Sequence, residues 1–421
     1  MPDTLSFETL SAAVASAAAV RAVTRLQPAG GPGDKLFPPT YAVDDAADTR
    51  YAFEERVLDG QPVTCVLLDS VASQANRMEE ALFDAWEDGE LAFPVVLVDF
   101  TEEPGLADLD RVSALHAPHR IADALLRDSL LDGVPFRKSP LGQAFTDARV
   151  RHATAMYQAC PTALIFGVWD STGPKGGLGA KFQRALVSEI VGVHAQDGVK
   201  VSSRIDPAAI QRGVAVYTDK DDPSDWTIEG AQAKTDGKGN PEPFSRKGSE
   251  GKGRPSAINH GNIAPSIDPK AGGVTVDHAL QTTVLSLPAL RRLRFQDDCA
   301  GNPLPREARK AAAHAAHTAL AALALAAVVH ARSRGFDLRS RSLLVPEGPF
   351  ELEVLPADGG APVRYTLTPA QANALVERAN AAATAAGMGW TAEPVVLRPA
   401  PKLADLIRAS RDLAADADDD A

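Results

Sequence analysis

The densest set of groups able to hold an anion lies in GVWDSTGPKGGLGAKFQRALVSEI, residues 167–190. In a glycine-rich loop no Cβ shields the backbone, so the N–H groups of Gly176, Gly177 and Gly179 can approach a phosphate closely. Lys175, Lys181 and Arg184 add positive charge there, and Ser171 and Thr172 add hydroxyls. The spacing is not that of a Walker A loop, because Lys181 is followed by Phe182. An ordinary glycine-rich connection is the alternative reading.

Three other segments carry anion-compatible groups. SQANRMEEAL places Gln74, Asn76 and Arg77 near a helix N-terminus, where free N–H groups and the dipole favour negative charge. The alternative is a polar cap with Arg77 paired to Glu79 or Glu80. HAPHRIADALLRDS sets Arg120 and Arg127 two turns apart, either tracking phosphates or pairing with Asp123 and Asp128. His116 and His119 are three apart, as metal ligands can be, but no third ligand accompanies them and no metal is expected. SSRIDP sets Arg204 beside Asp206.

No Ser/His/Asp order, HExxH motif or defensible pair of carboxylates is present, so no catalytic residue and no cofactor is expected. The rival reading is a phosphate-ester or nucleotide-processing enzyme using the glycine loop. Its only nearby carboxylates are Asp170 and Glu189.

The elements that must position these groups follow from apolar patterning. Residues 63–68 (VTCVLL) and 93–100 read as buried strands, with a helix between them capped by Asp69 or Ser70 and ended by Gly89. Residues 118–131 and 143–160 read as helices, and 162–169 (TALIFGVW) as a third strand. The β-branched content of 182–194 favours strand. Residues 306–334 predict one long alanine-rich helix. Thr368-Pro369-Ala370-Gln371 predicts another, with a capping box and an end at Gly387. The order of elements fits an α+β sheet with helices on one face.

Charge is unevenly spread. The chain of 421 residues carries a net −12, but residues 1–110 hold −15, residues 111–212 hold +5 and the remainder −2. The middle third is therefore where an anion would bind. Residues 218–273 are poor in apolar residues and rich in Gly, Pro and Lys/Arg, which predicts a flexible basic insertion. Three separated cysteines without a CxxC pair fit a reducing compartment. The N-terminus has no basic region of the signal-peptide kind. Residues 311–329 are long enough to span a bilayer, yet their alanine content and two histidines favour a packed soluble helix.

Taken in order, LFPPTY, LLDSVASQANRMEEAL, APHRIADALLRDS, FGVWDSTGPKGGLGAKFQRALVSEIVG and SRIDP, over residues 36–207, resemble the CRISPR-associated RAMP-superfamily backbone subunit of type I-G (formerly I-U) Cascade complexes. The likeness is looser through LSLPALRRLRF and weak in the insertion and the C-terminal helices. The resemblance implies a modified RRM-like (ferredoxin-like) core with large insertions and a helical C-terminal part. The core would be residues 1–217 with 274–300, the insertion 218–273, and the helical region 301–421. It also implies a non-catalytic antiviral-defence protein of the prokaryotic cytoplasm that polymerises head-to-tail along CRISPR RNA. Its other partners would be the target DNA strand and further Cascade subunits, with no membrane. On that reading the RNA-binding set is Gln74, Asn76, Arg77, His119, Arg120, Arg127, Ser171, Thr172, Lys175, Gly176, Gly177, Gly179, Lys181, Arg184 and Arg204. Aromatic residues are only 5% and no RNP-type pattern appears, so phosphate and ribose contacts are expected to outweigh stacking.

Overall fold

The computed structural model describes residues 2–44, 47–171, 173, 175, 179–246 and 251–419. Two compact units divide the chain. The larger comprises Met1–Tyr41, Tyr51–Gln196 and Val274–Ala404; the smaller comprises Ala42–Arg50, Asp197–Gly273 and Asp405–Ala421.

The larger unit is α+β. In chain order its principal elements begin with strands β1 (Ala19–Pro28), β2 (Phe53–Leu58) and β3 (Gln61–Asp69), then helices α1 (Val71–Glu87) and α2 (Pro161–Phe166). Next come β4 (Val168–Trp169), β5 (Lys181–Phe182), β6 (Leu186–Val193) and β7 (His278–Ser286). Helices α3 (Leu287–Arg291) and α4 (Arg309–Ser333) and strands β8 (Leu343–Pro346) and β9 (Leu352–Leu355) follow.

The main sheet runs β2–β3–β6–β7–β1, with β8 and β9 both on the far side of β1, and each of these pairings is antiparallel. With the β2–β3 hairpin set aside, the chain reads β1, α1, β6, β7, α4, β8/β9. The last strand lies beside the first and the third lies between the first and second. That is the ferredoxin-like order of RRM proteins. Helices α1 and α4 pack on each other and on the sheet.

Period-2 patterning explains the sheet's two faces. On β1 the residues Val20, Ala22, Thr24 and Leu26 are buried, while Val23 and Arg25 are exposed and Arg21 is half-buried. Helix α1 starts where Ser70 accepts the Ser73 N–H, and it buries Ala75, Met78, Leu82 and Ala85. Gly89 follows at φ +72°, the left-handed region glycine favours. Helix α4 is buried on nearly all sides, from Ala316 to His330. Its alanines allow close approach by the helix Pro369–Ala385, which carries the expected capping box of Thr368 and Gln371. Helix α4 is long and apolar enough to cross a membrane, but 89% of its apolar window is buried inside the structure.

Several expectations change. Residues 162–169 are not a strand: Pro161 opens helix α2, and Gly167 at φ +83° ends it before the short β4. An apolar run buried all round has no periodicity to separate helix from strand. Residues 118–131 are not one helix, since Arg120 sits at φ +52°, Asp123 starts a single turn at Ala124–Arg127, and Ser129–Leu131 is a strand. Residues 143–160 split into Pro140–Asp147 and Thr154–Ala159 around a backbone bridge between Arg149 and His152. The region after residue 301 is mainly helical, but not wholly so. It supplies β8, β9 and strand Val395–Pro399, which lies between Val96–Asp99 and Ser129–Leu131 in a second sheet.

In the smaller unit Lys200–Arg204 pairs with Ile263–Asp268, and Tyr217–Thr218 with Trp226–Thr227. Asp206, Asp222 and Asp236 close turns by accepting nearby backbone N–H groups. The composition of 218–273 gives no core of its own, yet Phe244 and Ala257 form a small apolar cluster with Val216. The buried partner comes from outside that segment.

Candidate nucleic-acid interface

A cleft of about 760 Å³ opens in the larger unit between the end of α2, the β4–β5 ribbon and the end of α3. His119, Ser171, Lys181 and Arg184 of the expected set line it, with Arg120 in its wall. Among the described residues no aspartate or glutamate lines it.

Each cation reaches the cleft for a local reason. Lys181 stands directly opposite Trp169 in the β4–β5 ladder, and its Nζ lies 4.7 Å from the indole centroid. Arg184 is exposed just before β6, and burial followed by the neighbouring Arg120 cation pushes its guanidinium below the ordinary arginine value. Arg292 is exposed at the C-terminal end of α3. Among the described residues no carboxylate forms an ion pair with Lys181, Arg184 or Arg292. Val150 also lines the cleft, while its exposed neighbours Arg149 and Arg151 line a separate cavity together with Asp147, Asp297 and Asp298.

Other expected residues serve the fold. Arg120 is buried and donates to both Glu79 oxygens at 2.6 and 2.7 Å and to the Gly167 carbonyl at 3.0 Å. Burial pushes the Glu79 carboxyl up, against the pull of Arg120. Gln74 is buried, donates to Asp69 and accepts from Ser188 and Gln281. Arg77 pairs with Asp69 at 3.0 Å, not with Glu79 or Glu80, and also donates to the Leu338 carbonyl. Arg127 pairs with Asp128 at 2.8 Å, and Lys175 pairs with Asp147. Asn76 is exposed on α1. Arg204 lies in the smaller unit and donates to the carbonyls of Gly261 and His260 rather than pairing with Asp206. Thr172, Gly176 and Gly177 lie outside the described residues.

The described part of the glycine loop is organised by Asp170. Its carboxylate is fully buried and takes two bonds from Arg137, at 2.6 and 2.8 Å. A Cβ on Gly179 would stand 2.3 Å from the Asp170 carbonyl oxygen, and one on Gly173 2.2 Å from its carboxylate. Glycine is needed at 179 for this packing. The second carboxylate of the enzyme reading, Glu189, is bound by Arg56 at 2.6 and 3.2 Å. Among the described residues no group of three His, Cys, Asp or Glu side chains is placed to hold a metal ion.

Sequence reasoning missed two groups. Arg292 sits in an Arg291–Arg292 doublet whose first member caps the helix Phe7–Ser16, donating to the Val14 and Ala17 carbonyls. The doublet was the available signal, but the sequence does not show which member is free. Trp169 closes an apolar run that reads as buried strand, yet it is 53% exposed.

Fold and cleft together define an α+β protein with ferredoxin-like strand order and a cationic groove lined by no carboxylate among the described residues. Residues 20–197 match the model of the family described as CRISPR-associated protein GSU0053. The match covers less than half of the chain and supports a role in a CRISPR system. No curated protein matches the chain.

Proposed function

We propose that the chain is a non-catalytic CRISPR RNA-binding backbone subunit of a type I-G Cascade surveillance complex, working in the prokaryotic cytoplasm. The observation that carries this reading is the cleft where Lys181, Arg184 and Arg292 meet no carboxylate among the described residues. Unpaired cations in a groove attract a phosphate backbone without reading its sequence. A subunit that must accept any spacer needs that tolerance. The family match over residues 20–197, which includes most of the cleft, supports the CRISPR context.

On this reading, copies of the chain follow one another head-to-tail along the RNA and present it to the target DNA strand beside other Cascade subunits. The −15 of residues 1–110 against the +5 of residues 111–212 supports attraction between successive copies. A head-to-tail contact does not close on itself, so RNA length limits the assembly. The test is light scattering with single-stranded RNAs of increasing length, in magnesium. The expected result is a particle mass that rises stepwise with RNA length while the RNA stays intact. A fixed closed dimer, or cleaved RNA, would overturn the reading.

A further inference from the structure

Trp169 is the most exposed tryptophan, tyrosine or phenylalanine among the described residues, at 53%. A large aromatic left open inside a cationic cleft invites a partner with a flat apolar face. Its position is fixed by the ladder: Trp169 pairs with Lys181 and Val168 with Phe182, and Val168 and Phe182 are buried. The ribbon is thus anchored through one pair and presents the other. The Lys181 ammonium lies over the indole at 4.7 Å.

We propose that Trp169 is a stacking platform for one unpaired nucleobase, with the adjoining phosphates on Lys181, Arg184 and Arg292. This rests on the reading of the cleft as an RNA groove, and adds to it a contact that holds the base as well as the backbone. Single-strand binding sites combine the same two parts, a positive groove and an aromatic ring. Stacking tolerates every base because each has a π-face, so the platform fixes the strand without choosing a sequence.

The test titrates the full chain with a single-stranded RNA and with an abasic ribose-phosphate oligomer of equal length. Trp169→Ala is expected to weaken RNA binding about ten-fold and to leave abasic-oligomer binding unchanged. The slope of log affinity against log salt stays the same, since no charge is removed. Trp169→Phe keeps a ring and most of the affinity, which separates stacking from loss of fold. Unchanged RNA affinity in Trp169→Ala, or equal losses on both ligands, overturns the platform alone. If the wild-type chain binds neither ligand, the RNA-groove reading fails and the platform fails with it.

Discussion

The open face of the main sheet and the cleft are both rich in arginine, and they differ in what those arginines meet. Register places Arg21, Val284 and Val187 in one row across the sheet, and Val23, Thr282 and Glu189 in the next. On this face Arg21 pairs with Glu353, Arg25 with Glu347, Arg56 with Glu189 and Arg364 with Glu353. In the cleft, Lys181, Arg184 and Arg292 pair with no carboxylate among the described residues. A phosphate entering the sheet face has to displace a carboxylate, whereas in the cleft it displaces only water. On the proposed reading, pairing rather than the count of basic residues decides where an anion binds. RRM proteins stack bases on aromatics of this same sheet face. Here those rows hold valine, threonine and ion pairs, and Trp169, the most exposed aromatic among the described residues, is in the cleft.

The largest expected effect concerns a cleft arginine that is paired. Arg120→Ala strips Glu79 of its bidentate partner in a buried site. Breaking such a pair costs about 3–5 kcal/mol, read as a lower denaturation midpoint. Replacing both partners together with apolar residues is expected to recover most of that loss. If the double variant is as unstable as the single one, the pair's orientation of Gly167 matters more than charge compensation.

Next is a pH dependence in the cleft wall. His317 is buried on α4 with Nε2 3.1 Å from the carbonyl of Leu293, a residue of the cleft beside Arg292. Burial, with Arg294, His314 and Arg291 nearby, pushes its imidazole down to about 4. The unfolded chain takes up the proton near the ordinary pKa of 6.5 and the folded chain does not. Stability from this group is therefore present above pH 6.5 and is lost as pH falls towards 4. The full term is about 3 kcal/mol. Unfolding measurements on the wild type and His317→Gln at pH 7 and pH 4 should show the wild type losing more by that amount. Parallel loss in both would mean that the wall does not depend on a neutral histidine.

The comparison itself is sharpened by removing the unpaired cations. On the proposed RNA-groove reading, a Lys181→Ala, Arg184→Ala, Arg292→Ala triple variant loses three phosphate contacts. The log–log salt slope for single-stranded RNA then falls by about 2. Affinity falls on the order of 100-fold, or about 2.8 kcal/mol. All spacer sequences should weaken alike, because phosphate contacts carry no base information. An unchanged slope would place the RNA elsewhere on the molecule.

Much of the scaffold was legible because its signals are local. The Ser70 cap, the β-branched β6 and the Thr368 capping box each lie within a few residues of the element they define. The site was legible only in part. His119, Ser171, Lys181 and Arg184 do share a cleft, but Arg120 is paired with a glutamate 41 positions away. Nearby acids were the natural partners to consider, and Arg127 does take Asp128. Arg77 instead takes Asp69, at the end of the preceding strand. Which cations stay unpaired depends on long-range topology, and that is also why Arg292 and Trp169 went unseen.

The smallest expected effect is on the sheet face, and it tests the contrast from the other side. Arg21 and Glu353 form a pair at 2.6 Å that is partly open to water. Exposed pairs of this kind contribute about 0–1 kcal/mol, because solvent screens them and ordering two long side chains offsets the gain. Removing Arg21 does not orphan Glu353, since Arg364 lies 3.3 Å away. Arg21→Ala should therefore shift the denaturation midpoint little. It should also leave RNA affinity and salt slope where they were, because Arg21 holds a carboxylate in place of a phosphate. A slope reduced by about 0.7 would mean that Arg21 exchanges Glu353 for RNA. The sheet face would then join the cleft as a binding surface, and pairing in the free subunit would no longer predict where the backbone runs.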